Sequence, residues 1–317
     1  MITTIQQGVF TTIQDEGRWG YQAYGMPIAG AMDRYAYRVS NMLVGNSSNA
    51  AVMEMTAVGG VFKFDSDNIA AICGADMQAT LNGKPIHNWS SFLVPKNSEL
   101  KFGQAQAGYR CYFSIRGGID VPKVLGSRAT CSRAVVGGHE GRALRQGDVL
   151  RIGRDIFYEV HPHIMDSQYV PLYADQIELR VILGPQENMF SDKAINILFT
   201  SSYKITEKSD RLGYSLKGPK VFPIGKADIV SDAMCKGAIQ IAANGLPFIM
   251  GADHQTTGGF AKIGWVIWGD LPKLGQARPG DVVRFKPVTE DAAVEVLRNE
   301  QHCYAKIVEM CNVNRQK

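Results

Sequence analysis

Short strand-like runs separated by turn residues dominate this sequence and constrain its fold most. In the first half, apolar, β-branched and aromatic residues form the runs "GVFTTIQ", "GGVFKF", "IAAIC", "SFLVP", "ELKFG", "YRCYFSI" and "DVLRIG". The second half continues with "IELRVILG", "YKITEKS", "GAIQIAA", "PFIMGA", "WVIWGD" and "DVVRFKP". Each run is bounded by Gly, Asn, Asp, Pro or Ser, and such spacing is typical of an all-β sandwich or barrel.

One helix is predicted to interrupt the strands of the first half. After Asp33, the stretch "RYAYRVSNMLVG" places Ala36, Val39 and Leu43 on one helical face and ends at Gly45. Asp33 is the predicted N-cap, and the glycine suits the position just past a helix end.

A second helix is predicted to close the chain. It begins at Thr289 and carries Val294, Leu297, Tyr304 and Val308 at helical spacing. Acidic residues in its first turn favour this start because they oppose the helix dipole. We expect the tail "CNVNRQK" to fray.

The length and one internal echo predict two domains. A chain of 317 residues allows roughly two domains of about 150 residues each. "RALRQGDVLRIG" resembles "GQARPGDVVRFKP", and the offset between their aspartates, 281 minus 148, is 133 residues. Between the halves, "RDIFYEVHPHIMDSQYVPLYADQ" is the predicted linker. We predict similar β domains at residues 1–160 and 175–288, followed by a helix and tail at 289–317.

Composition excludes several classes of function. The formal net charge of +4 is small and the basic residues are interspersed with acids, which argues against nucleic acid. The N-terminus has no signal-peptide pattern, and no apolar stretch is long enough to cross a membrane, so we expect a cytoplasmic protein. Six scattered cysteines indicate reduced thiols. His161-Pro162-His163 is interpreted as a surface turn, and no metal is predicted.

The stretch "ADHQTTGGFAKI" concentrates polar chemistry beside an apolar run. Adjacent Gly258 and Gly259 can bring backbone N–H groups together into a concave anion-binding nest. Hydroxyls of Thr256 and Thr257, with Lys262 beyond them, add hydrogen bonds and one positive charge. The alternative is a hairpin in which the glycines supply positive φ and the threonines belong to a strand.

Of three other polar clusters, two allow two interpretations each. In "IQDEGRWG", Arg18 either holds a carboxylate or pairs with the neighbouring Asp15 and Glu16. "SDRLGYSLKGPK" contains Arg211 and superficially suggests a phosphate-binding loop, but Pro219 stands where a P-loop has its lysine. In "IVSDAMCKGAIQI", Asp232 precedes a strand and is either a turn residue or a general acid/base.

Several familiar motifs are absent from the sequence. It contains neither G-x-S-x-G nor a G-x-G-x-x-G that follows a strand, so no classical serine nucleophile or Rossmann cofactor is implied. "AMCK" is similar to a biotin-attachment tetrapeptide, but Cys235 occupies the lysine position. We therefore expect no covalently bound biotin on this chain.

Four long motifs resemble the allophanate hydrolase subunit 2 family of biotin-dependent carboxyltransferases. They are "TIQDEGRWGYQAYGMPIAGAMDRYAYRVSNMLVGN", "EGRALRQGD", "SDRLGYSLKGP" and "SDAMCKGAIQIAANGLPFIMGADHQTTGGFAKIG". The resemblance implies a mainly β fold of two tandem cyclophilin-like β-barrel domains with a few short helices. Departures occur at Ala29, Ala233 and Phe260-Ala261, where the family usually has serine, glycine and Tyr-Pro; the first removes a possible hydroxyl contact, and the last alters the strand after the glycines. The residues that match the family pattern are Arg18, Asp33, Arg211, Asp232, Gln240, Asp253, Gln255, Thr256, Thr257, Gly258 and Gly259.

Within this family the chain is most similar to the C subunit of ATP-dependent 5-oxoprolinase. That resemblance implies a hydrolase that converts 5-oxo-L-proline, ATP and water to L-glutamate, ADP and phosphate, as a hetero-oligomer with the A and B subunits of 5-oxoprolinase. Asp232 and Asp253 are the predicted catalytic residues, and ATP is the expected co-substrate. The predicted substrate- or anion-binding residues are Arg18, Arg211, Gln240, Gln255, Thr256, Thr257, Gly258, Gly259 and Lys262.

Two alternatives of other classes remain open at the sequence level. A carboxyltransferase component of a urea-type, biotin-dependent carboxylase would accept a carboxyl group from another polypeptide. A regulatory partner of a kinase-inhibitor protein would use the same β surface without catalysis. Aromatic residues among Trp19, Tyr21, Tyr24, Trp265 and Trp268 are either a partner interface or core.

Overall fold

A computed structural model of the chain describes residues 1–154 and 161–313. The chain divides into two compact units. The first contains the described parts of 1–18, 29–173 and 301–317, and the second contains 19–28 and 174–300. Both are built mainly from β-strands, so the predicted fold class is confirmed.

The first unit contains two antiparallel sheets. The order in the seven-stranded sheet is β11-β12-β1-β4-β9-β6-β7, and in the five-stranded sheet it is β2-β3-β10-β5-β8. The elements are β1 (Ile2–Gln6), β2 (Phe10–Gln14), α1 (Arg34–Leu43), β3 (Val52–Thr56), β4 (Val61–Phe64), β5 (Asn68–Asp76), β6 (Thr80–Leu81), β7 (Lys84–Pro85), β8 (Ser90–Val94), β9 (Glu99–Lys101), β10 (Ala107–Ile115), β11 (Ile119–Asp120) and β12 (Val149–Ile152).

Alternation along these strands builds the core of the first unit. Side chains from both sheets, including Met53, Phe62 and Phe113, form one buried apolar cluster. Successive strand residues point to opposite faces, so each sheet supplies every second side chain to this cluster.

Helix α1 covers the other face of the five-stranded sheet, as the sequence pattern predicts. Ala36, Val39 and Leu43 are buried. Asp33 caps the helix because its Oδ1 accepts the N–H of Ala36 at 3.0 Å. The chain leaves the helix at Gly45, whose φ of 72° is left-handed.

The second unit is a closed barrel with added elements. The barrel order is β13-β20-β17-β18-β15-β14-β21, with β13 and β21 paired in parallel, and β16 and β19 form a separate two-stranded sheet. The elements are β13 (Gln176–Leu183), α2 (Asp192–Thr200), β14 (Ser202–Ile205), β15 (Gly213–Lys217), β16 (Asp228–Ala233), β17 (Ala238–Ile241), β18 (Pro247–Met250), β19 (Thr257–Phe260), β20 (Lys262–Val266), α3 (Leu271–Gly275) and β21 (Val282–Pro287). Helix α4 (Glu290–Val313) begins in the second unit, and its residues from 301 onward belong to the first.

The echoed sequence forms the same turn in both units. Gly147 and Gly280 have left-handed φ values of 90° and 101°. The following aspartates accept backbone N–H groups three residues upstream: Asp148 from Arg145 at 2.7 Å, and Asp281 from the corresponding arginine at 2.9 Å. Each turn leads into a strand, β12 or β21, which supports the interpretation as a repeat.

The buried face of helix α4 differs from the one predicted from the sequence. Val294 and Val308 are exposed, whereas Tyr304, Ile307 and Cys311 are buried. The buried face is therefore rotated around the helix axis from the predicted one, and the two share Tyr304. The predicted fraying is wrong for Cys311, which is buried within the helix, and residues 314–317 lie outside the described part.

The predicted linker is partly incorporated into the first unit. The carbonyl of His163 accepts the N–H of Ser91 at 2.8 Å, and Met165 is buried. Residues 155–160 of that segment lie outside the described part. In the ranges 1–154 and 161–313, no helix combines the length and apolarity needed to span a membrane.

Candidate functional site

A buried lysine and a half-exposed aspartate form an ion pair at the edge of the barrel. Lys262 begins β20, and its side chain is 2% exposed. Its ammonium contacts the carboxylate of Asp232, which is 49% exposed, and donates to the carbonyl of Ala233 at 2.9 Å. The sequence separates this lysine and aspartate by 30 positions, and the packing of β16 and β19 beside the barrel brings them together.

Further donors converge on the same carboxylate. Oδ1 of Asp232 accepts the N–H of Ala233 at 2.8 Å, and Oδ2 accepts from Nε2 of Gln186 at 3.3 Å. The Lys262 ammonium, together with these donors, lowers the pKa of Asp232 below its usual 3.8. Asp232 is therefore ionised at neutral pH and is a hydrogen-bond acceptor, not a proton donor.

Gln240 and Gly258 lie beside this pair. Gln240 of β17 is the strand partner of Lys262, and its amide donates to the carbonyl of Phe260 at 2.9 Å. A Cβ on Gly258 would lie 2.7 Å from Nε2 of Gln240 and 2.5 Å from Cε of Met234. β19 therefore lies close to the ends of these two flexible side chains, which would have to move to admit a side chain at this position.

The predicted anion-binding nest is wrong. Thr257, Gly258, Gly259 and Phe260 form the extended strand β19, and neither glycine has a positive φ. Gly258 pairs with Asp232 across the two strands. A nest requires successive N–H groups to converge, whereas in a strand they alternate in direction. The hairpin alternative is right about the strand for Thr257 but wrong about positive φ.

A second ion pair lies between the ends of β15 and β18. The guanidinium of Arg211 donates to both carboxylate oxygens of Asp253, each at 2.9 Å. Their side chains are 7% and 2% exposed. A bidentate pair of this kind is rigid, and its charges neutralise each other.

His254 is a feature that sequence reasoning missed, although it lies inside the quoted stretch. Its side chain is fully buried, and Nδ1 lies 2.7 Å from the carbonyl of Gln255, so Nδ1 carries the proton. Burial lowers its pKa, which keeps the ring neutral at neutral pH. Its Nε2 has no hydrogen-bond partner within residues 1–154 and 161–313.

The segment that follows His254 connects the two ion pairs along the chain. Gln255 and Thr257 are exposed, and Thr256 is half-buried. The carbonyl of Thr256 accepts the N–H of Met234, two residues after Asp232, at 3.0 Å. The second unit therefore contains every predicted site residue except Arg18.

Arg18 belongs to the first unit, where it has structural contacts. Its side chain is fully buried and donates to the carbonyls of Val124 at 3.1 Å and Ala129 at 2.6 Å. The neighbouring Glu16 pairs with Arg38 at 2.5 Å. Nε and Nη2 of this guanidinium are thus bound to backbone carbonyls, and the side chain offers no exposed surface to a substrate.

Each of the two ion pairs in the site is electrically neutral. Lys262 pairs with Asp232, and Arg211 pairs with Asp253. An anion that entered at either cation would have to compete with a carboxylate already bound there. The half-exposed carboxylate of Asp232, which the buried Lys262 holds on one side, is instead suited to accept a substrate N–H. In the part of the chain described, no group of three or more His, Cys, Asp or Glu is placed to hold a metal.

Fold and site together define a mainly β protein in which a buried lysine of the barrel holds a half-exposed aspartate of the adjacent two-stranded sheet. The family model for the carboxyltransferase domain, subdomain A and B, matches residues 24–287. The chain is 31% identical to the C subunit of 5-oxoprolinase from Escherichia coli over 97% of both chains. It is 33% identical to urea amidolyase of Lachancea kluyveri, over 92% of this chain but 18% of that protein.

A solved structure agrees with these sequence matches. The crystal structure of Kluyveromyces lactis urea carboxylase superimposes with a TM-score of 0.91 and 29% identity, over 96% of this chain and 29% of that one. The chain belongs to the carboxyltransferase domain family. The resemblance inferred from the four motifs is thereby confirmed.

Proposed function

We propose that this protein is the C subunit of an ATP-dependent 5-oxoprolinase complex. The observation that supports this most is the match over 97% of both chains to the C subunit of 5-oxoprolinase from Escherichia coli. A second such C subunit, from Haemophilus influenzae, is 32% identical over 92% of each chain.

The chemistry of the Asp232 carboxylate fits a cyclic amide. A lactam presents an N–H beside a carbonyl, and an ionised, half-exposed carboxylate accepts such an N–H. The buried ammonium of Lys262 keeps Asp232 ionised while the lactam binds. As the ring opens and its nitrogen gains a proton, the adjacent negative charge stabilises the positive charge that develops there.

The net reaction hydrolyses one lactam C–N bond and one phosphoanhydride bond. Two waters are consumed: one oxygen enters the new carboxylate of glutamate, and the other enters phosphate. A lactam is a weak electrophile, so transfer of a phosphoryl group to its oxygen supplies the activation. We assign ATP binding to the assembled complex and the orientation of the lactam to this chain.

Partner chains follow from the proposal. Trp19 and Tyr24 of the second unit expose large aromatic surfaces, and Trp19 lies 6.3 Å from Trp268, ring centre to ring centre. Aromatic residues of this kind are enriched in the buried centres of protein interfaces. We propose that they contact the B or the A subunit of the complex, and that the chain alone has no turnover.

The test is ATP-dependent glutamate release from 5-oxoproline. The purified chain is assayed alone, with the B subunit, with the A subunit, and with both. We expect release only in the complete mixture. Association of all three chains without any release of glutamate would refute the proposal.

Carboxyl transfer to urea is the second candidate. The TM-score of 0.91 to Kluyveromyces lactis urea carboxylase favours it, and urea also presents an N–H beside a carbonyl. Adding urea, ATP, bicarbonate and a biotin-carboxylase and biotin-carrier polypeptide to the chain distinguishes the two. Formation of carboxyurea in that mixture, with no glutamate from 5-oxoproline, would replace the first candidate by the second.

A further inference from the structure

The turn that follows β13 is pressed against the beginning of β20. The N–H of Gly184 donates to the carbonyl of Ile263 at 2.9 Å. A Cβ on Gly184 would lie only 2.5 Å from the carbonyl oxygen of Lys262. Glycine is therefore needed for this approach, which carries the next residues of the turn to the ion pair.

Gln186 of this turn contacts both members of the pair. Its Oε1 accepts the backbone N–H of Lys262 at 3.2 Å, and its Nε2 donates to Oδ2 of Asp232 at 3.3 Å. A single amide thus spans β20 and β16. Glutamate or lysine at this position could not make both contacts, because a carboxylate cannot donate and an ammonium cannot accept.

We propose that Gln186 is a positioning residue that holds the Asp232 carboxylate in the orientation in which it receives the substrate N–H. The effect of Gln186 on turnover rests on the proposed function, whereas the effect of Gln186 on the Asp232 carboxylate does not.

The need for such a residue follows from the exposure of Asp232. Its side chain is 49% exposed, and ion pairs open to water restrain geometry weakly. Lys262 and Gln186 both bond to Oδ2, and the N–H of Ala233 bonds to Oδ1. These contacts reach the carboxylate from β20, from the turn after β13 and from β16 itself, and its exposed side leaves lone pairs for a ligand.

The first experiment uses the full chain without partners. Carboxyl carbon NMR of aspartate-labelled protein follows the titration of Asp232, with Asp232→Asn for assignment. Lys262 is the charged group acting on Asp232, and its ammonium also influences the Cys235 thiol. In Gln186→Glu, the added carboxylate repels that of Asp232, so we expect the pKa of Asp232 to rise.

The control is a second glutamine that donates to an aspartate. Nε2 of Gln168 donates to Oδ2 of Asp166 at 3.0 Å in the first unit. Gln168→Ala is expected to leave the titration of Asp232 unchanged, and Gln186→Ala to change its chemical shift. An Asp232 resonance that titrates identically in wild type and in both folded Gln186 variants would overturn the proposal.

The second experiment measures the assembled complex. We expect Gln186→Ala to lower kcat/KM by about 10- to 100-fold, the scale expected for misplacement of a reacting group. In Gln186→Glu, the acidic limb of the profile of kcat/KM against pH should move to higher pH. Loss of a merely structural contact would not cause this shift. Unchanged kinetics for both variants would refute the catalytic role. Absence of release by wild type would refute the proposed function, while the NMR result would still decide the effect on Asp232.

Discussion

The buried pair of Arg211 and Asp253 allows a quantitative test of the barrel's energetics. Arg211→Met removes the guanidinium and leaves a carboxylate that is 2% exposed without its bidentate partner. Breaking a buried pair from one side costs about 3–5 kcal/mol, because the remaining charge is desolvated and uncompensated. Asp253→Leu should destabilise the protein by a similar amount.

The double variant separates the cost of an unpaired charge from the value of the pair. Replacing both residues by apolar side chains of similar length removes both desolvated charges. We therefore expect Arg211→Met with Asp253→Leu to cost about 1 kcal/mol or less, which corresponds to a coupling of several kcal/mol.

Urea unfolding followed by tryptophan fluorescence measures all three variants. The matched control lies in the same barrel: Lys286 and Glu178 are 3.6 Å apart, with side chains 59% and 61% exposed. Truncating either should cost about 0.5 kcal/mol or less. Single costs below about 1 kcal/mol at Arg211 and Asp253, or a cost of the double variant equal to the sum of the single costs, would show that the two charges do not depend on each other.

Three further predictions concern stability. Asp148→Asn should lower the free energy of unfolding by about 1 kcal/mol at pH 7 after allowance for solvent screening. Because Arg142 lowers the pKa of Asp148 from 3.8 to about 2, this difference from wild type should vanish as the pH falls through that range. Thermal midpoints of both proteins, measured against pH, test this. Gly184→Ala should cost about 1–3 kcal/mol by urea unfolding, since its Cβ would meet the Lys262 carbonyl, and an unchanged midpoint would contradict the close approach. Asp33→Ala should cost about 1 kcal/mol through loss of the α1 cap, and Asp33→Ser should restore most of it.

Local signals in the sequence predicted local structure well. The cap at Asp33 and the left-handed Gly45 follow from residue types that act within a few positions of themselves. The repeated turn at Gly147 and Gly280 was visible for the same reason. Helix α2 was missed although Ser191 caps it, accepting the N–H of Ala194 at 3.3 Å, because its nine residues lie within a strand-rich region.

The site could be predicted in composition but not in geometry. Adjacent glycines suggested a nest, but pairing of β19 with β16 extends the backbone, and of the two glycines only Gly258 lies close against neighbouring side chains. Gln186 lies 76 positions from Lys262, and no local pattern marks that contact. The glutamine just after a strand end, in "GPQENM", was the one available signal. Arg18 was predicted to bind a substrate because the backbone carbonyls that it contacts are more than 100 positions away in the sequence.

Glutamate release by the assembled complex, compared between wild type and Asp232→Asn, tests whether this carboxylate acts on the lactam. Asp166→Asn is the matched control, because this exposed aspartate lies in the first unit and its loss should leave release unchanged. We predict ATP-dependent release from 5-oxoproline with wild type, and a loss of about 100-fold or more with Asp232→Asn while the chain stays folded and associated. Equal release by wild type and Asp232→Asn would contradict the role of this carboxylate, and no release by wild type would contradict the proposed function.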